Sequence, residues 1–461
     1  MDSNERLESA HWGRPATASA PGSSGDGELE RTFEAVKSAL ARHSDVTWWS
    51  ATLRTTRSDQ LYLVREGVES ERRGQEHSID VALHTRNGSE VGQGSFSLGS
   101  GEEGRLEEAL RVAVHAAKQA GVPEYSPPAP TVLPTVETVD REIVTKPRRA
   151  LERLRGQLSE AIARQKRARV ASAEFFVFYD ISRMETSLGL VADLSGTRST
   201  AEVVLLGRGP NGGEAEVQDL RYRRAVQDFE LDAWVFGLAQ EASDATSARP
   251  MATWQGPVIL RADVLGSYFG PLVQRLSGET VYRKMSPYEL GSPVSPMEVR
   301  GEALTLSTDR TLPFGLATAP CDRDGVPGDR AVVVKDGRVE RFWADARFAD
   351  YLSVEATGNW GNLVVEPGVR SATELLGGGD VLEVVRFSWF TPSGATGDFA
   401  TEMRLGYLHR GGDRVPVRGG AVTGNAFGAL SNAYFSREVE FVGNGKVPRY
   451  LRLDGLNVIG T

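Results

Sequence analysis

The first half of the chain alternates between helical and strand patterns of apolar residues. Apolar positions recur at helical spacing in three segments, which predicts amphipathic helices with buried stripes over Leu29–Leu40, Leu106–Ala117 and Leu151–Ile162. A fourth helix is predicted near Leu231–Ala245. Short runs rich in β-branched and aromatic residues predict strands at Val46–Leu53, Gln60–Glu66, Ser78–Leu83, Ala173–Tyr179, Thr186–Asp193 and Thr200–Leu206. Helices and strands in this order predict helices packed on a sheet.

The pattern changes after Ala248, where glycine-rich turns and short β-branched runs replace the helical periods. We therefore expect an α+β protein with a mixed α/β domain at residues 28–248 and a mostly β domain at residues 249–461. Residues 1–27 are rich in Ser, Ala, Gly and Pro without periodicity, which predicts a disordered tail. The proline-rich stretch Ser126–Pro134 is expected to be a linker or crossover.

Composition narrows the class of protein. The chain has 461 residues, of which 53 are Lys or Arg and 62 are Asp or Glu, so its formal charge of -9 disfavours a general affinity for nucleic acid. The single cysteine, Cys321, excludes an intramolecular disulfide framework. The sequence contains neither a secretory signal nor an apolar run long enough to span a bilayer, so we expect a cytoplasmic protein without membrane partners.

Two glycine-containing motifs are candidate sites. Gly207–Gly212 matches the GxGxxG pattern of dinucleotide-binding loops, but a proline lies inside it and no helical pattern follows, so we expect a hairpin turn. The loop Cys321–Gly325 resembles the start of a calcium loop, yet Val333 stands where a bidentate glutamate is required. No histidine lies near Cys321 in the sequence, so a turn with a partly buried thiol is favoured over a nucleophile.

Histidine spacing bears on the metal question. The six histidines are His11, His43, His77, His84, His115 and His409, and no pair has the spacing of a helical HExxH or HExxxH motif. His77 and His84 are seven residues apart, which on one strand places them on opposite faces. We therefore expect ordinary core or surface histidines and no metal site in this chain.

Basic residues crowd the third helix and the segment after it. They are Arg148, Arg149, Arg153, Arg155, Arg164, Lys166, Arg167 and Arg169. A helix that buries four apolar residues must expose its charges, so a solvated face is favoured. A patch for an acidic partner or for nucleic acid remains the alternative.

Four motifs of the C-terminal half resemble the TldD/TldE (PmbA) peptidase family. Gly315–Leu352 is similar to a family segment in which a PxDxEG-like turn precedes a hairpin, and Ala356–Asn362 resembles its STGN or STGH stretch. Ser393–Leu408 resembles its NPVTGD element, and Val415–Asn425 its PVRGxTxxGN stretch. Because the motifs occur in the family's order, we extend the resemblance over Glu28–Ile459.

The resemblance implies a degenerate catalytic motif. TldD-type subunits of this family carry HExxxH on a helix and a further cysteine ligand near the C-terminus. In the similar segment Gly256–Gly270, the His, Glu and His positions hold Arg261, Ala262 and Gly266. Arginine has no free lone pair for zinc, and alanine cannot accept a proton. The resemblance therefore implies no cofactor in this chain and zinc in a TldD-like partner.

By this resemblance, the expected function is that of a non-catalytic TldE/PmbA-like subunit. Such a subunit pairs with a TldD-like catalytic subunit, as a heterodimer or higher oligomer, in a metallopeptidase complex that processes unfolded or modified peptides. The candidate substrate-binding residues, chosen from within the motifs, are Asn359, Asn362, Ser393 and Asp398.

Two alternatives stay open at this point. The first is a peptidase-fold enzyme repurposed for small-molecule or peptide tailoring without zinc. Its candidate polar groups are Asp263, Cys321, Asp322, Asp324 and Asp398. The second is a regulatory binding protein that uses the basic helix through Arg148, Arg149 and Arg153.

Overall fold

The computed structural model describes residues 25–209 and 212–460 and confirms the predicted α+β class. Residues 1–24 of the predicted tail lie outside the described part, and the first helix begins at Gly25. Sheets occur in two regions, one formed by residues 46–223 and the other by residues 249–459.

The first half contains helices and long strands in the predicted order. Its helices are α1 (Gly25–Arg42), α2 (Leu106–Gln119), α3 (Arg141–Thr145), α4 (Pro147–Ala163) and α5 (Leu231–Ala245), with single 3-10 turns at Glu103–Arg105 and Val226–Phe229. Its strands are β1 (Val46–Val64), β2 (Gly67–Asn87), β3 (Glu90–Gly99), β4 (Gly121–Pro123), β5 (Ala168–Thr186), β6 (Val191–Arg208) and β7 (Glu214–Arg223). The three predicted amphipathic helices and the predicted helix near Leu231–Ala245 are confirmed.

These strands form one antiparallel sheet in the order β4-β3-β2-β1-β5-β6-β7. The predicted strands Val46–Leu53 and Gln60–Glu66 are one continuous strand that ends at Val64. The prediction of a strand over Thr186–Asp193 is wrong, because a turn containing Gly189, with φ of 94°, separates β5 from β6 there. The hairpin that joins β6 to β7 confirms the expectation for Gly207–Gly212, of which residues 210 and 211 lie outside the described part.

All helices that build the first core lie on one face of this sheet. Side chains alternate along a strand, so Trp49, Leu53 and Leu61 of β1 point to the same face. The first two pack with α1 and α2, while Leu61 packs with α4 and α5. The sheet is long enough to carry two separate helix pairs side by side.

The proline-rich linker crosses the opposite face. It contains no helix or strand, as predicted, and its Leu133 packs against Met184 of β5 and Ala192 of β6. Cys321 of the second half packs into the same cluster. The linker therefore lies between the sheet and the second half.

The second half is mostly strands, as predicted. Its strands are β8 (Arg249–Pro250), β9 (Trp254–Gln255), β10 (Val258–Arg261), β11 (Leu306–Asp309), β12 (Arg330–Lys335), β13 (Arg338–Val339), β14 (Asn362–Val365), β15 (Val381–Phe387), β16 (Asp398–Arg410), β17 (Asp413–Arg418), β18 (Ala421–Asn425), β19 (Ala433–Phe435), β20 (Val439–Val442), β21 (Gly445–Pro448), β22 (Tyr450–Leu453) and β23 (Asn457–Ile459). Its helices are α6 (Ala262–Arg275), α7 (Gly278–Tyr282), α8 (Ala346–Leu352), α9 (Ala372–Leu376) and α10 (Ala426–Ala429), with a 3-10 turn at Leu430–Asn432.

A ten-stranded and a six-stranded sheet share one core around α6. The three apolar residues Val258–Leu260 of β10 are fully buried between a parallel neighbour, β15, and an antiparallel one, β22. Leu265, Phe269 and Leu272 anchor α6 in the same core. Arg261, which ends β10, is thereby held at a fixed point of the second half.

Across the described residues, we find no helix that combines the length and apolar character needed to cross a membrane.

Candidate functional site

Arg261 lies at the junction of β10 and α6 and joins the two halves of the molecule. Its Nη1 donates a hydrogen bond to Oε1 of Glu241 at 2.6 Å, and its Nε donates to Oε1 of Glu383 at 2.8 Å. Glu241 belongs to α5 of the first half and Glu383 to β15 of the second, and both carboxylates are buried. The guanidinium therefore pairs with one carboxylate from each half.

A second arginine extends this pairing. Nε of Arg386 donates to Oε2 of Glu241 at 3.0 Å, and its Nη1 donates to Oδ1 of Asp219 at 2.9 Å. Carboxylates and guanidinium groups thus alternate from Glu383 through Arg261, Glu241 and Arg386 to Asp219. We call these five residues the charge network.

Two further side chains contact Glu383. Nε2 of His409 lies 2.9 Å from its Oε2, and the hydroxyl of Tyr450 donates to its Oε1 at 3.1 Å. Burial favours the neutral acid, but the hydrogen bond with His409 and the charge of Arg261 outweigh it and lower the pKa of Glu383 to about 2. Glu383 is therefore ionised at neutral pH.

The charge network does not fit a zinc site. Zinc takes lone pairs from thiolate, imidazole or carboxylate groups in a tetrahedral arrangement. Here each carboxylate of the network accepts hydrogen bonds from a guanidinium, and both guanidinium groups would repel a divalent cation. Within residues 25–209 and 212–460, no three His, Cys, Asp or Glu side chains are grouped so that they could hold a metal.

A cleft of about 620 Å³ opens beside the charge network, between the two halves. From the first half it is lined by the end of β7, the turn before α5 and the first residues of α5; from the second half by residues 312–316 and by the hairpin of β20 and β21. Trp234, which lines the cleft, donates from Nε1 to Oδ2 of Asp219 at 2.7 Å. This hydrogen bond connects the cleft wall to the network.

The cleft combines aromatic and charged groups. Aromatic residues that line it are Tyr222, Phe229, Trp234, Phe314 and Phe441. The charged residues that line it are Arg221, Arg223, Arg449, Asp228, Glu230 and Glu440. The guanidinium of Arg221 stacks over the Trp234 ring at 4.5 Å. A ligand here would meet apolar rings together with charges of both signs.

Comparison with known proteins identifies the family. A family model described as the PmbA/TldA metallopeptidase C-terminal domain matches residues 253–460. The chain is 26% identical over 279 residues to the Metalloprotease PmbA of Escherichia coli O157:H7, a match that covers 58% of this chain and 60% of that protein. With its C-terminal domain, residues 253–460, the chain matches the TldD/TldE (PmbA) family.

Two other relatives agree. An uncharacterized protein of Methanocaldococcus jannaschii is 22% identical over 278 residues, covering 56% of this chain and 62% of its own. The sequence matches thus span about three fifths of these two relatives. The crystal structure of TldE from Thermococcus kodakarensis is 19% identical, covers 94% of this chain and 100% of its own, and gives a TM-score of 0.78. At that identity the structural match shows the fold.

The three residues predicted to replace the family's zinc motif lie together at the start of α6. Ala262 is buried in the core, whereas Gly266 faces open space, since a Cβ added there would meet no atom within 4 Å. Asp263 is exposed to solvent but closely surrounded by protein, and desolvation raises its pKa to about 6, although Arg386 and Arg261 oppose the rise. Its contact with solvent limits this shift.

Two predicted substrate-binding residues lie at the start of β14. Asn362 is its first residue, and Asn359 lies in the loop before it. Asn362 lines the cleft, but its side-chain amide is fully buried and donates to the carbonyl oxygen of Asp309 at 2.7 Å. The main-chain N–H of Asn359 donates to Asp322 at 3.0 Å. Both residues therefore hold loops together, and Asn362 also reaches the cleft.

Asp398, the first residue of β16 in the ten-stranded sheet, and Ser393, in the loop before it, are the other two candidates and form a turn. The Ser393 N–H donates to the Asp398 carbonyl at 2.8 Å. Oδ1 of Asp398 accepts a hydrogen bond from Nδ2 of Asn425 at 2.8 Å, and the Asn425 side chain also caps α10. The structure thus connects two family motifs through Asp398 and Asn425, on a different sheet from Asn362.

The Cys321 loop has a structural role. The thiol is buried, and desolvation raises its pKa to about 11, so it stays protonated at neutral pH. Oδ1 of Asp322 accepts hydrogen bonds from the N–H groups of Asp324 and Val326, both at 2.9 Å. Burial also raises the pKa of Asp324 to about 6. These contacts form the turn that the sequence predicted.

Two arginines of the basic helix and one directly after it pair with acidic residues of the same chain. Arg148 contacts Glu71 at 2.8 Å, Arg164 contacts Asp232 at 2.8 Å, and Arg153 contacts Glu142. This pairing supports the prediction of a solvated face.

Sequence reasoning missed most of the charge network. Glu241, Glu383, Arg386 and Asp219 come from separate strands and helices, and no local motif relates them. His409 was expected to be an ordinary histidine, and the structure places it against Glu383. The one available signal was Arg261 itself, because a charge at the end of a fully apolar strand requires a buried partner.

Proposed function

We propose that this chain is a non-catalytic, TldE/PmbA-like subunit of a metallopeptidase complex that processes unfolded or modified peptides. A TldD-like partner would carry the zinc. The observation that carries this proposal is the pairing of Arg261 with Glu241 and Glu383 at the position that the family resemblance assigns to the first zinc-binding histidine.

The energetics of this pairing support the proposal. Removal of one member of a buried ion pair leaves an uncompensated charge and costs about 3–5 kcal/mol. A zinc ion would have to displace Arg261 from two carboxylates to use them as ligands. The network therefore favours a site that stays without metal.

The cleft supports a peptide as the ligand. Peptides present apolar side chains, main-chain amides and terminal charges within a few ångströms, and the cleft offers rings beside guanidinium and carboxylate groups. A ligand that carries charges of one sign only would be repelled by some of the charged residues that line the cleft.

Co-purification with a homologue that carries HExxxH tests the proposal. We expect a stable complex, zinc in proportion to the partner alone, and peptide hydrolysis by the complex only. Replacement of both motif histidines of the partner by alanine should abolish hydrolysis and leave the complex intact. Stoichiometric zinc in this chain alone, or a homologue that never associates with it, would contradict the proposal.

Asp263 favours a second candidate, an enzyme that works without zinc. Its exposed carboxyl group has a pKa raised to about 6, so it could exchange protons near neutral pH. Turnover of a peptide or small molecule by the isolated, metal-stripped chain, lost in Asp263→Asn, would favour this candidate. An inert isolated chain would exclude it.

A further inference from the structure

Residues 312–318 form a loop that we call the cleft loop, and its residues 312–316 line the cleft from the second half. Phe314 in this loop has φ of 54°, a left-handed conformation that bulky residues rarely adopt. Its N–H donates to the carbonyl oxygen of Glu137, three residues after the proline-rich linker, at 2.8 Å. The loop therefore keeps an unfavourable backbone conformation, which its surroundings must impose.

Arg224 holds the cleft loop in place from the first half. This residue directly follows β7 and is 8% exposed. Its guanidinium donates to the carbonyl oxygens of Gly315 at 2.7 Å, of Leu316 at 2.9 Å and of Thr318 at 2.9 Å. A fourth hydrogen bond, to the carbonyl oxygen of Thr197 in β6, measures 3.3 Å. One side chain thus fastens three carbonyls of the cleft loop to the seven-stranded sheet.

Asn362 holds the loop from the second half. Its Nδ2 donates to Oγ1 of Thr318 at 2.9 Å, and its Oδ1 accepts from the N–H of Ala317 at 2.9 Å. The approach is close, because a Cβ added to Gly315 would lie 2.6 Å from Nδ2 of Asn362. The buried side chains of Arg224 and Asn362 therefore hold the cleft loop from both halves. This contact fixes the position of Phe314 beside the cleft.

We propose that the cleft accepts an apolar or aromatic side chain of a peptide, that Phe314 determines this preference, and that Arg224 is the positioning residue for Phe314. The inference rests on the proposed function in taking a peptide as the ligand. The rings of Phe229, Trp234 and Phe441 complete the apolar part of the cleft. The flanking guanidinium and carboxylate groups suit the polar main chain on either side of such a residue.

Fluorescence anisotropy of the full-length chain with labelled Gly-Ser-Gly-Xaa-Gly-Ser-Gly peptides tests the inference. Burial of one aromatic ring should make the Phe peptide bind about tenfold to a hundredfold more tightly than the Ser peptide. Phe314→Gly should bring this ratio close to one, because glycine keeps the left-handed backbone and only the ring is lost. Arg224→Lys should also reduce the ratio, since an ammonium group cannot reach all of these carbonyls.

Arg310 offers a matched control. It is also 8% exposed, and it donates to the carbonyl oxygens of Cys321 at 2.7 Å and Asn359 at 3.4 Å, all within the second half. Arg310→Lys should lower the melting temperature as Arg224→Lys does and leave the Phe to Ser ratio unchanged.

Three results would overturn the inference. They are equal binding of the two peptides by the unaltered chain, an unchanged ratio in Phe314→Gly, and an equal loss of preference in Arg310→Lys and Arg224→Lys. If Arg224→Lys does not fold, Phe314→Gly decides. The isolated chain is sufficient here, so failure to bind a catalytic partner would contradict the proposed function without affecting this result.

Discussion

Two arginines, the half-buried Arg261 and the buried Arg224, join the halves of this molecule by different chemistry. Arg261 pairs with the carboxylates of Glu241 and Glu383, whereas Arg224 donates to main-chain carbonyl oxygens. The Arg261 contact depends on the ionisation of the two glutamates. The Arg224 contact depends on the backbone conformation of the cleft loop. Burial opposes the charge of Arg224 and lowers its pKa to about 10, while the carboxylates raise the pKa of Arg261 despite its burial.

The difference shows how each contact relates to function. The Arg261 network lies where the family resemblance expects a metal, and its strength comes from paired charges. The Arg224 contact shapes a wall of the cleft and fixes one conformation of a loop. Substitutions in the two regions should therefore differ in size and in their response to pH and salt.

The largest effect on stability is expected for Glu383→Ala. This change removes the buried carboxylate that His409 contacts and leaves Arg261 paired with Glu241 alone, so it should lower the free energy of unfolding by about 3–5 kcal/mol. Urea denaturation at neutral pH measures it. Arg261→Met combined with Glu383→Ala serves as the control, because loss of both partners should cost less than the sum of the single changes. Strict additivity would show that the two side chains do not interact.

The second largest effect is expected from acid, which should reduce the contribution of the charge network to stability. The folded-state pKa of Glu383 is lowered from 4.5 to about 2, so its contribution is complete above pH 4.5 and disappears as the pH falls towards 2. A shift of this size corresponds to roughly 3 kcal/mol. Denaturation between pH 5 and pH 2 should give a smaller loss in Glu383→Gln than in the unaltered chain. Arg224→Lys should keep the full loss, and equal acid sensitivity of all three proteins would refute the assignment.

The sequence predicted the architecture better than the site. Regular spacing of apolar residues made α1, α2 and α4 predictable. Strand lengths were underestimated, because the centre of β1 carries polar side chains between its two apolar ends. Polar residues of that kind end a strand in the sequence pattern, although their backbone pairs continuously with β2 and β5.

Of the charge network, the sequence singled out only Arg261, which the family resemblance placed in the degenerate motif with Ala262 and Gly266. The pairing of Arg261 with Glu241 and Glu383 joins residues 20 and 122 positions away. Contacts of such separation depend on the final packing of two sheets, which no local pattern encodes. For the same reason, Asn362 was proposed as a substrate contact, and the structure shows its amide engaged with the cleft loop.

Arg224→Lys is expected to reduce stability less than Glu383→Ala does. Carbonyl oxygens left without a donor should lower the free energy of unfolding by about 1–3 kcal/mol. The lysine keeps the positive charge, and the acceptors are neutral, so this loss should be the same at low and high salt. Urea denaturation at two salt concentrations measures it. A loss that grows or shrinks strongly with salt would indicate that a charged partner, and not the carbonyls, holds Arg224.

The smallest effect is expected on the basic helix, at Arg148→Ala. Arg148 pairs with Glu71 at 2.8 Å, but their side chains are 65% and 48% exposed, so the pair should contribute only about 0.2–1 kcal/mol. Salt should reduce even this, because exposed charges are screened within about 10 Å at moderate ionic strength. Glu71→Ala is the matched control and should produce the same small change, since either substitution removes the same pair. A loss as large as that of Glu383→Ala would mean that exposure does not separate the two kinds of ion pair in this protein, and the contrast between its surface and its charge network would fail.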